Sequence, residues 1–262
     1  MGRSDPGVGV AVYAHRGSTV LAPENTMPAF QLARDAGADV LEIDVRLSRD
    51  GHPVVIHDAT VDRTCNGHGA VKDQTLVQLK KLDAAYYFTD LEGQTTRGKN
   101  IRLCTLAELL QQMPDIGINI DIKDNFYEAT LAVAAVLEKS GRQDDVNVGS
   151  FHAKSVAWFR NLAPKFSTAA TRGEAAQLYF GRSICKHAPY QYLQLPVRYF
   201  GIPLSTRRFI QHAHGRGIQC VYWTINDPQL MLRLINLDVS GIVTDRVDIL
   251  SSILNRNNSM QH

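Results

Sequence analysis

Glu42 and Asp44 stand two residues apart in a run, 40–45, whose other members include the apolar Leu41, Ile43 and Val45. Side chains on a strand alternate between faces, so the two carboxylates share one side and the aliphatic residues the other. The chain then reaches Arg49-Asp50-Gly51-His52, an Asp-Gly hairpin signal, and returns through 53–57 to His57-Asp58. Pairing Asp44 with His57 sets Ser48 opposite Pro53 and brings the imidazole beside the carboxylates. That grouping describes a metal site with an acid/base residue at its edge. The competing reading is a solvent-facing hairpin whose charges keep it soluble.

Two further segments add to the first. One run ends in His15-Arg16-Gly17, and another, 118–123, alternates so that Asn119, Asp121 and Lys123 share a face. Glu42, Asp44 and Asp121 converging at one place would repel one another and raise their pKa values unless a cation lay between them. Hard oxygen ligands suit Mg²⁺ or Ca²⁺, with Mn²⁺ as a third option. Zinc is disfavoured, because no Cys cluster or His-x-x-x-His lies near these residues. His15 and His57 supply two imidazoles of near-neutral pKa, able to act as base and acid on either side of a reacting centre. Arg16 and Lys123 add fixed positive charge of the kind that phosphoryl transfer uses, or else form salt bridges to Glu42 or Asp121. Taken together these groups point to phosphodiester cleavage. His212 and His214 fall at a predicted helix end before Gly215, where a structural role is expected.

The elements that must position these groups read as alternating strands and helices. Strand-like runs occur at 10–14, 40–45, 53–57, 116–122, 146–149, 166–170, 192–196, 218–222 and 241–243, and most are separated by helical patterns. Helix starts are marked by Asn25 and Thr26 before Pro28, by Ser205 and Thr206, and by Asn226 and Asp227 before Pro228. Only seven residues separate Val45 from Pro53, too few for a parallel crossover, so 53–57 is a side arm. Eight parallel strands remain, which fit a (β/α)₈ TIM barrel with its chemistry at the C-terminal strand ends; an open doubly wound sheet is the main rival. Residues 59–100 form a long polar, Gly-containing insertion bearing Tyr86, Tyr87 and Phe88, either a cover over the mouth or a surface excursion whose aromatics plug the barrel side.

Bulk properties set limits. A chain of 262 residues, 44% hydrophobic, suits one barrel domain over 1–254 with a disordered tail at 255–262. A net charge of +2 with 21% charged residues gives no single-sign field for nucleic acid. Cys65, Cys104, Cys185 and Cys220 are far apart, without Cys-x-x-Cys, and read as free thiols in a reducing, cytoplasmic setting. The apolar stretch 8–14 is too short for a signal or a membrane anchor, and Pro6 breaks a myristoylation motif at Gly2.

The ordered motifs AHRG, APENTMPAF, GADVLEIDVRLSRDGHPVVIHDATVDRT, INIDIK, VNVGSF, WTIND and GIVTD run from about residue 13 to about residue 250. They resemble the glycerophosphodiester phosphodiesterase family, specifically its cytoplasmic bacterial type. The resemblance implies a TIM barrel with a small insertion at its C-terminal mouth. It implies hydrolysis of glycerophosphodiesters to glycerol 3-phosphate and an alcohol, within salvage of phospholipid breakdown products. It further implies His15 and His57 as the acid/base pair, Glu42, Asp44 and Asp121 as ligands of one divalent ion, and Arg16, Lys123, Glu24 and Trp223 around the substrate. The family usually carries Glu at the place of Asp121, one methylene longer. Its Ile-Pro-Thr-Leu reads Leu103-Cys104-Thr105-Leu106 here, which loses the proline and keeps the Thr105 cap. The attacking oxygen is that of water or of the neighbouring glycerol hydroxyl. Rival readings are a lysophospholipase D-type enzyme using Tyr86, Tyr87 and Phe88 as an acyl groove, an aldolase with Lys123 as Schiff base, and a non-catalytic barrel that binds a phosphorylated metabolite. The partner expected in each phosphodiesterase reading is a small molecule, and the oligomeric state stays open.

Overall fold

The structure is a computed structural model that describes residues 9–181 and 188–259. Eight parallel strands form a ring in the order β6 (Ser167–Thr168), β5 (Val146–Gly149), β4 (Gly117–Ile122), β2 (Val40–Leu47), β1 (Ala11–His15), β11 (Gly241–Thr244), β10 (Gln219–Tyr222) and β7 (Tyr192–Leu195). The ring closes between β6 and β7 through the parallel bridge Ala169↔Tyr192, with Ala170 N donating to Tyr192 O at 2.8 Å. The closed barrel therefore prevails over the open sheet.

The side arm is β3 (Pro53–Val55), antiparallel to β2, but its register is Val45↔Val55 and Leu47↔Pro53. Ser48 N bonds His52 O, and Ile56 N bonds Asp44 O at 2.9 Å. The expected pairing of Asp44 with His57 is thus wrong by one residue. His57 still reaches the site because the strand stops at Val55 and the next residues turn. A short hairpin, β8 (Arg198–Tyr199) and β9 (Ile202–Pro203), lies off the barrel and was not anticipated.

Alternation along the strands sorts the barrel into two compartments. Leu41, Ile43, Val45, Ile118, Ile120 and Ile122 point outward into the main core shared with the helices. Tyr13, Val221 and Val243 plug the interior, and above them Asn119 Oδ1 accepts from Asn147 Nδ2 at 2.6 Å and Gln194 Nε2 at 2.5 Å. Asn119 therefore does face inward, as a structural tie between strands. Helices α1 (Met27–Asp35), α3 (Leu106–Gln112), α4 (Tyr127–Ser140), α5 (Ala153–Leu162), α6 (Arg172–Tyr179), α7 (Arg207–His214), α8 (Pro228–Asn236) and α9 (Val247–Ser259) surround the sheet, and α2 (Leu76–Leu79) belongs to the insertion. Helix α9 continues to Ser259, into the segment 255–262 expected as a disordered tail, of which residues 260–262 lie outside the described residues. Thr105 forms a capping box with Glu108 at the start of α3, so the cap expected there is kept.

The insertion has a small core of its own, with Val61, Cys65, Val71, Leu79, Ala84 and Leu103 buried beside Val54 and Ile56. Cys65, Cys104 and Cys220 are free and buried, whereas Cys185 lies outside the described residues. Among the described residues no helix is long and apolar enough to cross a membrane.

Gly17 fixes how β1 meets α1. It takes φ +83°, and a Cβ there would stand 2.7 Å from Ala29 Cβ and 3.0 Å from the Ala29 carbonyl carbon. Gly17→Ala is expected to destabilise the protein by about 2 kcal/mol or more, since both the backbone conformation and the space oppose it. Urea unfolding checks this, and an unchanged midpoint would contradict the packing described.

Candidate active site

Asp44 is 1% exposed and sits on β2 beside Asp121 of β4, its register partner. A carboxylate so placed needs positive charge and hydrogen-bond donors. Lys123 Nζ lies 2.8 Å from Asp44 Oδ1 and 2.6 Å from Asp121 Oδ2, while Arg16 Nε lies 3.0 Å from Asp44 Oδ2. Asn25 Nδ2 donates to Asp44 Oδ2 at 3.0 Å. Lys123 thus pairs with Asp121, as the salt-bridge alternative had it, and with Asp44 as well. Arg16 pairs with Asp44 and, at 3.1 Å, with Glu24; only its backbone N, at 3.2 Å, reaches the Glu42 carboxylate.

The three carboxylates respond differently to one field. Burial pushes Glu42 up, with the neighbouring Asp44 charge adding to it, to about 7. Burial acts the same way on Asp44, but Lys123 and Arg16 outweigh it and hold that group below its usual range. Asp121 stays raised, because burial exceeds the relief that Lys123 provides, and its Oδ1 is buried without a hydrogen-bond partner. Among the described residues no three His, Cys, Asp or Glu side chains stand in a ready metal-holding arrangement, and the Lys123 ammonium bridges two of the three expected ligands.

Each histidine is anchored through Nδ1 by a carboxylate, which leaves Nε2 for chemistry. His15 Nδ1 meets Asp245 Oδ1 at 2.7 Å, and Asp245 is itself held by Thr19 Oγ1 at 2.6 Å and Asn226 Nδ2 at 2.7 Å. Burial opposes charging His15, yet the Asp245 hydrogen bond and the Glu42 charge raise its pKa overall. His57 Nδ1 meets Asp58 Oδ1 at 2.6 Å; Asp58 is bound by Arg63, whose guanidinium also grips Glu24 at 2.7 and 2.8 Å. Glu24 thereby links Arg16 to Arg63 instead of facing the cavity.

His15, Arg16, Glu42, Asp44, His57, Asp121, Lys123 and Trp223 all line one cavity of about 470 Å³ at the C-terminal strand ends. Trp223 packs edge-on to Phe151, their centroids 5.9 Å apart. Asn25, Asp58, Arg63, Asn226 and Asp245 join the site without a role legible from sequence, although Asp58 follows His57 directly and Asp245 directly follows the last strand. The aromatic groove expected at Tyr86, Tyr87 and Phe88 is corrected: none of them lines the catalytic cavity, and Tyr87 and Phe88 line a second cavity of about 380 Å³ with Glu24 and Arg63. His214 bonds Ser240 Oγ at 3.1 Å, a structural contact as anticipated.

Comparisons with known proteins bear on the chain as a whole. The sequence profile of the glycerophosphoryl diester phosphodiesterase family matches residues 15–249. The chain is 32% identical to a glycerophosphodiester phosphodiesterase of Caldanaerobacter subterraneus, over 94% of this chain and 98% of that protein. The crystal structure of a glycerophosphodiester phosphodiesterase from Agrobacterium tumefaciens superposes with TM-score 0.76 at 27% identity, covering 93% of this chain and 99% of the other. An Oleispira antarctica phosphodiesterase in complex with the product sn-glycerol-3-phosphate superposes with TM-score 0.77 at 26% identity, covering 94% of this chain and 97% of that one. With the profile beginning at His15 and running past Asp245, the chain belongs to the glycerophosphoryl diester phosphodiesterase family of phosphoric diester hydrolases.

Proposed function

We propose that the protein hydrolyses glycerophosphodiesters to glycerol 3-phosphate and an alcohol, with His15 and His57 as the acid/base pair and one divalent ion, Mg²⁺, Ca²⁺ or Mn²⁺, held by Glu42, Asp44 and Asp121. The observation that carries this reading is the single cavity onto which both carboxylate-anchored histidines and all three acidic groups open.

The donor set fits a hard cation. It is all oxygen, Asp121 Oδ1 is a buried acceptor without a donor, and Glu42 is driven toward its neutral form by burial and by the Asp44 charge, which a cation would offset. When bound, such an ion supplies charge neutralisation to a phosphoryl oxygen. In the protein described here Lys123 already supplies part of that charge. Arg16 and Lys123 orient the phosphodiester anion and Trp223 packs against the substrate's carbon skeleton. One imidazole takes the proton of the attacking oxygen, that of water or of the neighbouring glycerol hydroxyl, as that oxygen bonds to phosphorus. The other gives a proton to the departing alcohol oxygen as its bond to phosphorus breaks. Where the glycerol hydroxyl attacks, the product of this step is a cyclic phosphate. Water, its proton taken by the second imidazole, then adds to phosphorus while the ring P–O bond breaks and its oxygen is protonated, giving glycerol 3-phosphate. Asp245 and Asp58 fix the tautomer and direction of the two rings, and Glu24 acts through Arg16 and Arg63.

The direct experiment incubates the protein with glycerophosphocholine and the ethyl diester of glycerol phosphate, with Mg²⁺, Ca²⁺, Mn²⁺ or chelator, and measures glycerol 3-phosphate. Ion-dependent release that falls about 10²- to 10⁴-fold in His15→Ala is expected; release undiminished by chelator would remove the ion from this reading. Asp245→Asn keeps the shape but loses the charge beside His15, and kcat is expected to drop about 10- to 100-fold while KM changes little.

The ion should also act on stability with a definite pH dependence. The folded protein holds the Glu42 proton up to about pH 7, whereas the unfolded chain releases it near its ordinary value of 4.5. Glu42 therefore subtracts stability as pH rises through that window, and an ion that takes the deprotonated carboxylate removes the penalty. The Tm gain from millimolar Mg²⁺ or Ca²⁺ is expected to be larger at pH 8 than at pH 5; an equal gain at both would exclude Glu42 as a ligand.

A further inference from the structure

The cavity extends beyond the groups that a glycerophosphoryl moiety needs, and its far side has a different character. Its polar half comes from β1, β2 and β4 and the loop after β3. The opposite half is walled by Ala175 and Ala176 of α6, by Tyr179 and Phe180, and by Ile202 and Leu204. Tyr179 Oη donates to Pro203 O at 3.3 Å, tying α6 to the β8–β9 hairpin, so the two elements form one wall. Phe180 is 61% and Ile202 38% exposed at its rim, apolar area that gains from being covered.

Charge on this side is also one-sided. Among the described residues, Glu42, Asp44 and Asp121 are the acidic residues lining the cavity, and all belong to the polar half; the charged described residue on the α6 side is Arg172. Its guanidinium lies 5.0 Å from the Phe151 ring centroid, with Lys123 Nζ 5.6 Å from the same centroid. Two cations thus already stand by this ring, and they would repel a quaternary ammonium brought beside them. Glycerol hydroxyls, for their part, would lose hydrogen bonds against alanine and aromatic carbon, and so belong with the carboxylates and cations.

Resting on the phosphodiesterase reading above, we propose that this chamber receives the leaving alcohol and selects an uncharged, apolar one, an alkyl or arylalkyl alcohol, over a cationic headgroup. Ala175, Ala176, Phe180 and Ile202 are then specificity-determining residues for the alcohol side of the substrate.

The test compares kcat/KM for diesters of glycerol phosphate with ethanol, hexanol, benzyl alcohol and choline, whose leaving oxygens are all aliphatic. Each buried methylene is worth about three- to fourfold, so the hexyl diester should exceed the ethyl diester by at least about tenfold. The hexyl diester should also exceed the choline diester. In Ala176→Trp, an exposed position where a larger side chain fits without opening the fold, the hexyl-to-ethyl ratio is expected to fall to within about twofold. In Arg172→Glu, where a carboxylate also suits the first turn of α6, the choline-to-hexyl ratio should rise about fivefold or more. Equal rates for ethyl and hexyl, a choline preference, or a gain conferred only by an acyl chain on the glycerol of lysophosphatidylcholine would each overturn the chamber's assignment while leaving the phosphodiesterase reading intact. Cleavage of none of the diesters with any ion would overturn that reading and the inference with it.

Discussion

A single buried carboxylate organises this active site. Asp44 is 1% exposed, and leaving its charge unanswered would cost several kcal/mol, so the surrounding chain is committed to answering it. Lys123 comes from the end of β4, Arg16 from the end of β1 and Asn25 from the entry to α1. Arg16 and Asn25 both adopt positive φ, 51° and 56°, which non-glycine residues seldom do. Their backbone is pinned as well, with Arg16 N bonded to Glu42 O at 2.9 Å and Asn25 N to Arg16 O at 2.8 Å. Three loops are thereby locked around one charge, and the two left-handed residues aim a guanidinium and an amide donor at it.

Asp44 is answered by both Lys123 and Arg16, whereas Asp121 has Lys123 alone, and at Glu42 and Asp121 the effect of burial prevails. Glu42 and Asp121 are raised while Asp44 is lowered, though all three are buried in the same cavity. Such a spread of proton affinities within one cluster is the electrostatic signature of a functional site. The histidines show a complementary economy: carboxylates on the outer side of each ring, Asp245 and Asp58, are both held down to about 2 against burial by the histidine and by further donors, Thr19 and Asn226 on one side and Arg63 on the other. They remain charged across the working pH range and orient the imidazoles continuously.

The division of the cavity into a polar and an apolar half follows from the order of strands in the ring. β1, β2 and β4 are neighbours, so the residues at their C-terminal ends meet; β6 and β7 lie across the barrel, and the segments that follow them, α6 and the β8–β9 hairpin, bring alanine and aromatic side chains. Parallel closure puts both sets at the same end, which is how a barrel combines chemistry from one group of strands with recognition from another.

Local patterning was sufficient for the scaffold. Alternation placed eight parallel strands within a residue or two, set Glu42 with Asp44 and Asn119 with Asp121 on inward faces, and the cap residues Thr105, Thr206 and Asp227 start their helices as expected. Period and capping are carried by neighbouring residues, so they can be read along the chain. What the sequence left open depended on contacts between residues far apart in it. The hairpin register slipped by one because the turn is closed by Ser48 and His52, a choice that Asp-Gly alone does not dictate. Asp245, 230 positions from His15, is its anchor, and Glu24 turned out to brace two arginines. The apolar chamber is illegible along the chain for the same reason: alanines on α6 and an isoleucine beyond β7 acquire meaning only when barrel closure sets them opposite the carboxylates, since a cavity belongs to the space between elements and no single segment encodes it.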